Sequence, residues 1–150
     1  MKKLATLIQK AEHSKLYLWL LNRVMSHAVP FNKPHGFSVI DITSHHVTTF
    51  APYRKKNFNH VRGTHACAIA TVGELAAGIM LMYHFSPVEY RFILSTMQIE
   101  YHYQAKKNIT ATATLSLEDK NNILKTLGNS DRTSQLLITE IKDADRKSVV

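Results

Sequence analysis

At 150 residues, with 45% apolar and 20% charged side chains, the chain is most simply one domain (1–150), long enough to bury a real core. Its single cysteine, Cys67, excludes a disulfide framework and a cysteine-rich zinc site. Set among apolar neighbours, that thiol is expected to be buried and inert, and the compartment reducing and cytoplasmic. The net charge of +8 points to an anionic partner, but the basic residues are spread along the chain and no zinc-finger or RNP-like pattern accompanies them. Nucleic acid is therefore poorly supported, and a phosphate-bearing small molecule would use such a set equally well.

In chain order, residues 1–27 are predicted to be a helix. Leu4, Leu7, Ile8 and Ala11 form a stripe at helical spacing, which Leu18, Leu21, Val24 and Met25 continue. Charges at Lys10, Glu12 and Lys15, with no small-residue cleavage site, set this segment apart from a secretory signal. Pro30 and Pro34 end the regular structure, and the core is expected over 36–150. Segments 37–43 and 47–53 are short and β-branched, joined at Ser44-His45 as a hairpin. A long apolar helix follows at about 64–84. It holds one carboxylate, Glu74, in its middle and is rich in Ala and Gly, which fits a helix buried inside a protein and not a membrane span. Period-two alternation then predicts strands over 93–103 and 109–117. A short helix over 118–128 stops at Gly128; a strand over 134–141 turns at Asp143-Ala144-Asp145 into a last short strand, 147–150. A helix apolar on nearly all sides beside a sheet apolar on one face predicts an α+β fold whose antiparallel sheet wraps around the helix.

The chemistry concentrates between Asn57 and Met82. A lone acid inside an apolar helix is costly unless something uses or pairs it. Just upstream, Asn59, Gly63 and His65 crowd the point where the helix begins. Each has a plain structural alternative: Glu74 pairs across an interface, Asn59 holds a turn, His65 caps the helix. His60 and the His45-His46 pair read as solvated loop, and none of the nine histidines has HExxH-type spacing, so no metal site is expected.

From PFNKPHGF through YRKKNFNHVRGTHACAIATVGELAAG to ATATLS and EIKDADRKSVV, the chain resembles the PaaI-like branch of hot-dog thioesterases, and within it a family of unknown function labelled as thioesterases. In that branch an Asn precedes the motif histidine by six residues and an acid follows it by nine; here those places hold Asn59, His65 and Glu74. The chain departs from the pattern at Ala66 and Cys67, where relatives have two glycines, and at Gly78, often Ser or Thr.

The resemblance implies a hot-dog core with an extra N-terminal helix, and hydrolysis of an acyl-CoA or acyl-carrier thioester with no cofactor. Glu74 would act as base or nucleophile and Asn59 as an orienting amide. His65 would contact the ligand or fix the loop. The backbone N–H of Ala66 would face the oxyanion, helped by a close approach at Gly63. Phe58, Met80, Tyr83 and the N-terminal helix would line the acyl cleft. Arg54, Lys55, Lys56, Lys106 and Lys107 are candidates for the phosphates of coenzyme A. A homodimer or dimer of dimers is implied too. The alternative is a non-catalytic acyl-thioester binding module of the same fold, favoured by Ala66-Cys67.

Overall fold

Alternating apolar and β-branched residues build four strands in the computed structural model, which describes residues 2–149. They are β1 (Ser38–Ile42), β2 (His46–Ala51), β3 (Ile109–Thr114) and β4 (Thr139–Asp143), antiparallel throughout and ordered β1-β2-β3-β4. Val47, Thr49 and Ala51 of β2 and Ile109, Ala111 and Ala113 of β3 share the buried face, paired in register from His46 opposite Thr114 to Ala51 opposite Ile109.

Five α-helices and a 3-10 turn (Lys55–Asn57) accompany the strands among the described residues: α1 (Lys2–Ala11), α2 (Lys15–Ala28), α3 (Asn32–His35), α4 (Ala66–His84) and α5 (Leu117–Leu127). The long helix α4 packs across β2, β3 and β4, burying Ala68, Ile69, Val72, Gly73, Leu75, Ala76, Ile79 and Met80. Gly73 permits this approach, since a Cβ there would lie 3.2 Å from Cδ1 of Ile141. The hydroxyl of Thr49 donates to the carbonyl of Val72 at 2.7 Å, fixing helix to sheet. The apolarity of α4 would suit a membrane by length and composition, but here one face of it is spent on the sheet.

Four expectations are corrected. Residues 2–28 form two helices, broken at Glu12–Ser14. Ser14 takes an extended backbone, and the carboxylate of Glu12 is drawn to the hairpin turn, accepting from the Ser44 N–H at 3.0 Å and from the Tyr83 hydroxyl. Pro34 lies inside α3, a single turn ended by Gly36 at φ 69°. The alternating run 93–103 is not a strand of the sheet. A ladder needs a partner along its length, whereas this segment is tied by a backbone bond from His102 N–H to Val149 O at 3.0 Å, and Ile93, Leu94, Met97 and Tyr101 stay exposed. Of the run 134–141, only the part from Thr139 pairs. Its successor, 147–149, folds back on β4 through the Lys142–Ser148 bridge, and Val150 lies outside the described residues.

Candidate active site

The loop that feeds α4 is knotted from within. Asn57, only 1% exposed, donates through Nδ2 to the carbonyls of His35 (3.0 Å) and Pro52 (2.8 Å), while its Oδ1 meets Nδ1 of His35 at 2.9 Å. Its backbone carbonyl accepts the N–H of His65 at 2.8 Å. Asn59 spends its side-chain oxygen on the turn, accepting the N–H groups of Val61 (3.1 Å) and Gly63 (2.8 Å). Gly63 has an ordinary negative-φ or extended backbone, and the left-handed residue of this loop is Arg62 at φ 60°. What Gly63 provides is room: a Cβ there would sit 2.4 Å from Cγ of Gln104.

His65 is the N-cap of α4. Its Nδ1 accepts the Cys67 N–H at 3.1 Å, which leaves the ring proton on Nε2, facing solvent. The Cys67 N–H is thereby committed, and those of Ala68 and Ile69 turn to the carbonyl of His65. Among the described residues the Ala66 N–H has no partner, so it is the donor left open at the helix N-terminus. Beside it, the hydroxyl of Tyr101 donates to the Ala66 carbonyl at 3.2 Å, and partial desolvation pushes this phenol above its ordinary 10. Cys67 is exposed, against expectation, because the second position of α4 faces away from the sheet.

Glu74 lies eight residues beyond Ala66, about 12 Å further along the axis and roughly 80° around it. It is exposed, where burial was expected, and has no hydrogen-bond or ion-pair partner among the described residues. It stands on the wall of a groove of about 380 Å³ between α2–α3 and α4. Met25, Val29, Phe31, Leu75, Ile79 and Met82 supply the apolar lining; Asn32, Thr71 and Gly78 complete it. The lining expected from Phe58, Met80 and Tyr83 is not this one. Phe58 packs tilted against Tyr53, Met80 is sealed in the core, and Tyr83 is bound to Glu12, its phenol pushed up to about 12 by burial and that carboxylate. One chain thus brings Asn59, Gly63, His65 and Ala66 together at the start of α4 and holds Glu74 two turns away.

The basic candidates divide as well. Arg54 turns inward, donating to the carbonyl of Pro34 and lying against Gly36, so it braces α3 and does not reach out for a phosphate. Lys107 is ion-paired with Asp145. Lys55, Lys56 and Lys106 are exposed, and the bond from Tyr53 N–H to Asn108 Oδ1 at 2.8 Å sets their two loops side by side. No group of His, Cys, Asp and Glu able to hold a metal occurs among the described residues. Sequence reading missed Asn57 and Asn32; an asparagine's burial leaves no mark in local pattern.

An antiparallel sheet around a long central helix, with a polar loop delivering the helix N-terminus, is the hot-dog fold. The chain belongs to the family described as Domain of unknown function (DUF4442), whose model matches residues 18–150. Among solved structures it is similar to a protein of unknown function from Pseudomonas aeruginosa that bears the label "Probable Thioesterase" (21% identity, 87% of each chain covered, TM-score 0.79). It is also similar to a mutant of a thioesterase enzyme from Staphylococcus aureus (14% identity, 81% of this chain and 91% of that one, TM-score 0.64). A third likeness is to the PaaI protein of the Escherichia coli phenylacetic acid degradation operon (13% identity, 88% and 86% covered, TM-score 0.62). No curated protein matches by sequence.

Proposed function

We propose that the protein hydrolyses an acyl thioester, of coenzyme A or of a carrier protein, to a carboxylic acid and a free thiol. The observation that carries this reading is Glu74, an unpaired carboxylate at the wall of an otherwise mostly apolar groove. The acyl group lies in the groove. Glu74 takes a proton from the attacking water, or itself attacks the thioester carbon to give an anhydride that water then opens. The Ala66 N–H and the positive end of α4 face the developing oxyanion, a donor worth about 3 kcal/mol in the transition state. Asn59, whose oxygen is committed to its turn, offers Nδ2 to the substrate. The exposed lysines Lys55, Lys56 and Lys106 take the phosphates.

The distance between Ala66 and Glu74 within one chain supports a site shared by two protomers, with the helix start from one and the acid from the other. The exposed segment 93–103, apolar at Ile93, Leu94, Met97 and Tyr101, offers an edge for such a homodimer, which could double again. In the S. aureus thioesterase, the solved mutants replace a glutamine and a glutamate fifteen residues apart, the separation of Asn59 and Glu74 here.

The test is thiol release from short, medium, long and aromatic acyl-CoAs, in wild type and in Glu74→Ala. Release on some substrate, abolished by the substitution in a folded protein, supports the assignment. Release that survives removes Glu74 from it. Binding without release on any substrate moves the reading to a non-catalytic acyl-thioester module.

A further inference from the structure

Asn32 has a side chain that nothing in the fold explains. It is 4% exposed, and its Oδ1 is buried without a donor. The main chain makes no demand for an amide there. The Asn32 N–H donates to Val29 at 3.0 Å, its carbonyl accepts from Gly36 at 2.9 Å and Phe37 at 3.3 Å, and no side-chain cap is formed at the start of α3. Buried amides are nearly always paired, so an orphan calls for a partner from outside the chain.

Its position names that partner. Asn32 lines the groove that holds Glu74, amid Met25, Val29, Phe31, Leu75, Ile79 and Met82. The other neutral polar group there, the Thr71 hydroxyl, is committed to the carbonyl of Cys67 at 2.8 Å. An unsubstituted acyl chain would satisfy the apolar wall and leave the amide stranded. A chain bearing an oxygen would satisfy both. We propose that Asn32 is a specificity residue selecting acyl groups that carry a hydroxyl or oxo substituent, an inference that rests on the groove taking the acyl group. The amide suits either substituent, because a half-turn of its terminal torsion exchanges acceptor for donor. The leverage is asymmetric: a site built to bond an oxygen penalises the analogue lacking it, because its own polar group is then left unpaired.

Calorimetry with non-hydrolysable thioether analogues of octanoyl-CoA and of its 3-, 5- and 8-hydroxy derivatives tests this in the intact protein. Wild type should bind at least one hydroxylated analogue about tenfold more tightly than the plain one, the worth of one neutral hydrogen bond. Asn32→Leu, and Asn32→Ala should the leucine fail to fold, should abolish that preference while keeping affinity for the plain analogue. Equal affinities in wild type, or a preference that survives both substitutions, would overturn the proposal. Preference without thiol release strikes only the hydrolytic reading, and release without preference strikes only this one. Binding of no analogue overturns this proposal, and thiol release from the acyl-CoA panel decides the hydrolytic reading separately.

Discussion

Replacing Asn57 with alanine should loosen the loop on which the site is hung. The substitution deletes the bonds from Nδ2 to His35 O and Pro52 O and the contact of Oδ1 with His35 Nδ1, all within 3.0 Å and at a residue 1% exposed. At about 1 kcal/mol net for each, the loss is about 3 kcal/mol, with two carbonyls left short of a donor as a further cost. For a chain of this size that lowers the melting midpoint by roughly 6–12 °C. Asn57→Asp keeps the acceptor for His35 but removes both donations, so it should recover no more than about 1 kcal/mol of the deficit. Urea titration at one fixed protein concentration measures both variants. Because the Asn57 carbonyl also holds the His65 N–H, turnover should fall with stability. A loss below about 1 kcal/mol for Asn57→Ala would refute the claim that this amide holds the loop.

Three further outcomes are expected. A Cβ at Gly78 would meet nothing within 4 Å, and the residue lines the groove, so Gly78→Ala should stabilise α4 by about 1 kcal/mol, read from melting, while shortening the longest acyl chain accepted. If the site is shared, mixing and reassorting inactive Glu74→Ala and Asn59→Ala proteins should restore about a quarter of wild-type thiol release, since half the dimers then carry one intact site. A site within one chain restores none. Burial, reinforced by Lys120, holds His84 below its ordinary 6.5, against the pull of the Ser44 carbonyl at 3.0 Å. A folded value below the unfolded one means that His84's contribution is complete above pH 6.5 and is lost as pH falls through the folded value. Melting followed from neutral to acid should therefore decline less steeply in His84→Gln than in wild type.

Much of the architecture is legible because it is repeated along the chain. The period of two in 109–117, the β-branched hairpin and the apolar run of α4 each write one fact many times over. The placement of Asn59 and His65 at the start of α4, and of Glu74 within it, is legible by spacing. Pattern fails where the outcome depends on a single distant partner. The run 93–103 alternates as cleanly as any strand, but alternation does not supply a neighbouring edge. Glu74 sits among small and apolar residues in sequence, yet helical geometry turns it away from the sheet-facing side that Gly73 and Ala76 occupy. Cys67 follows the same logic. Arg54 reads as one of three adjacent cations, but a carbonyl at Pro34 captures it. The break at Glu12 is invisible because its cause, the hairpin turn at Ser44, lies thirty-two residues away.

Glu74 is exposed and unpartnered, so its isosteric replacement by glutamine should leave stability within about 0.5 kcal/mol of wild type. The decisive measurement is steady-state thiol release by that variant on the best acyl-CoA found for wild type, with kcat and KM determined separately. If Glu74 is the base or nucleophile, the melting midpoint stays unchanged, KM stays similar, and kcat falls by about 10² to 10⁴. A glutamine variant that melts normally and turns over at the wild-type rate would contradict that role.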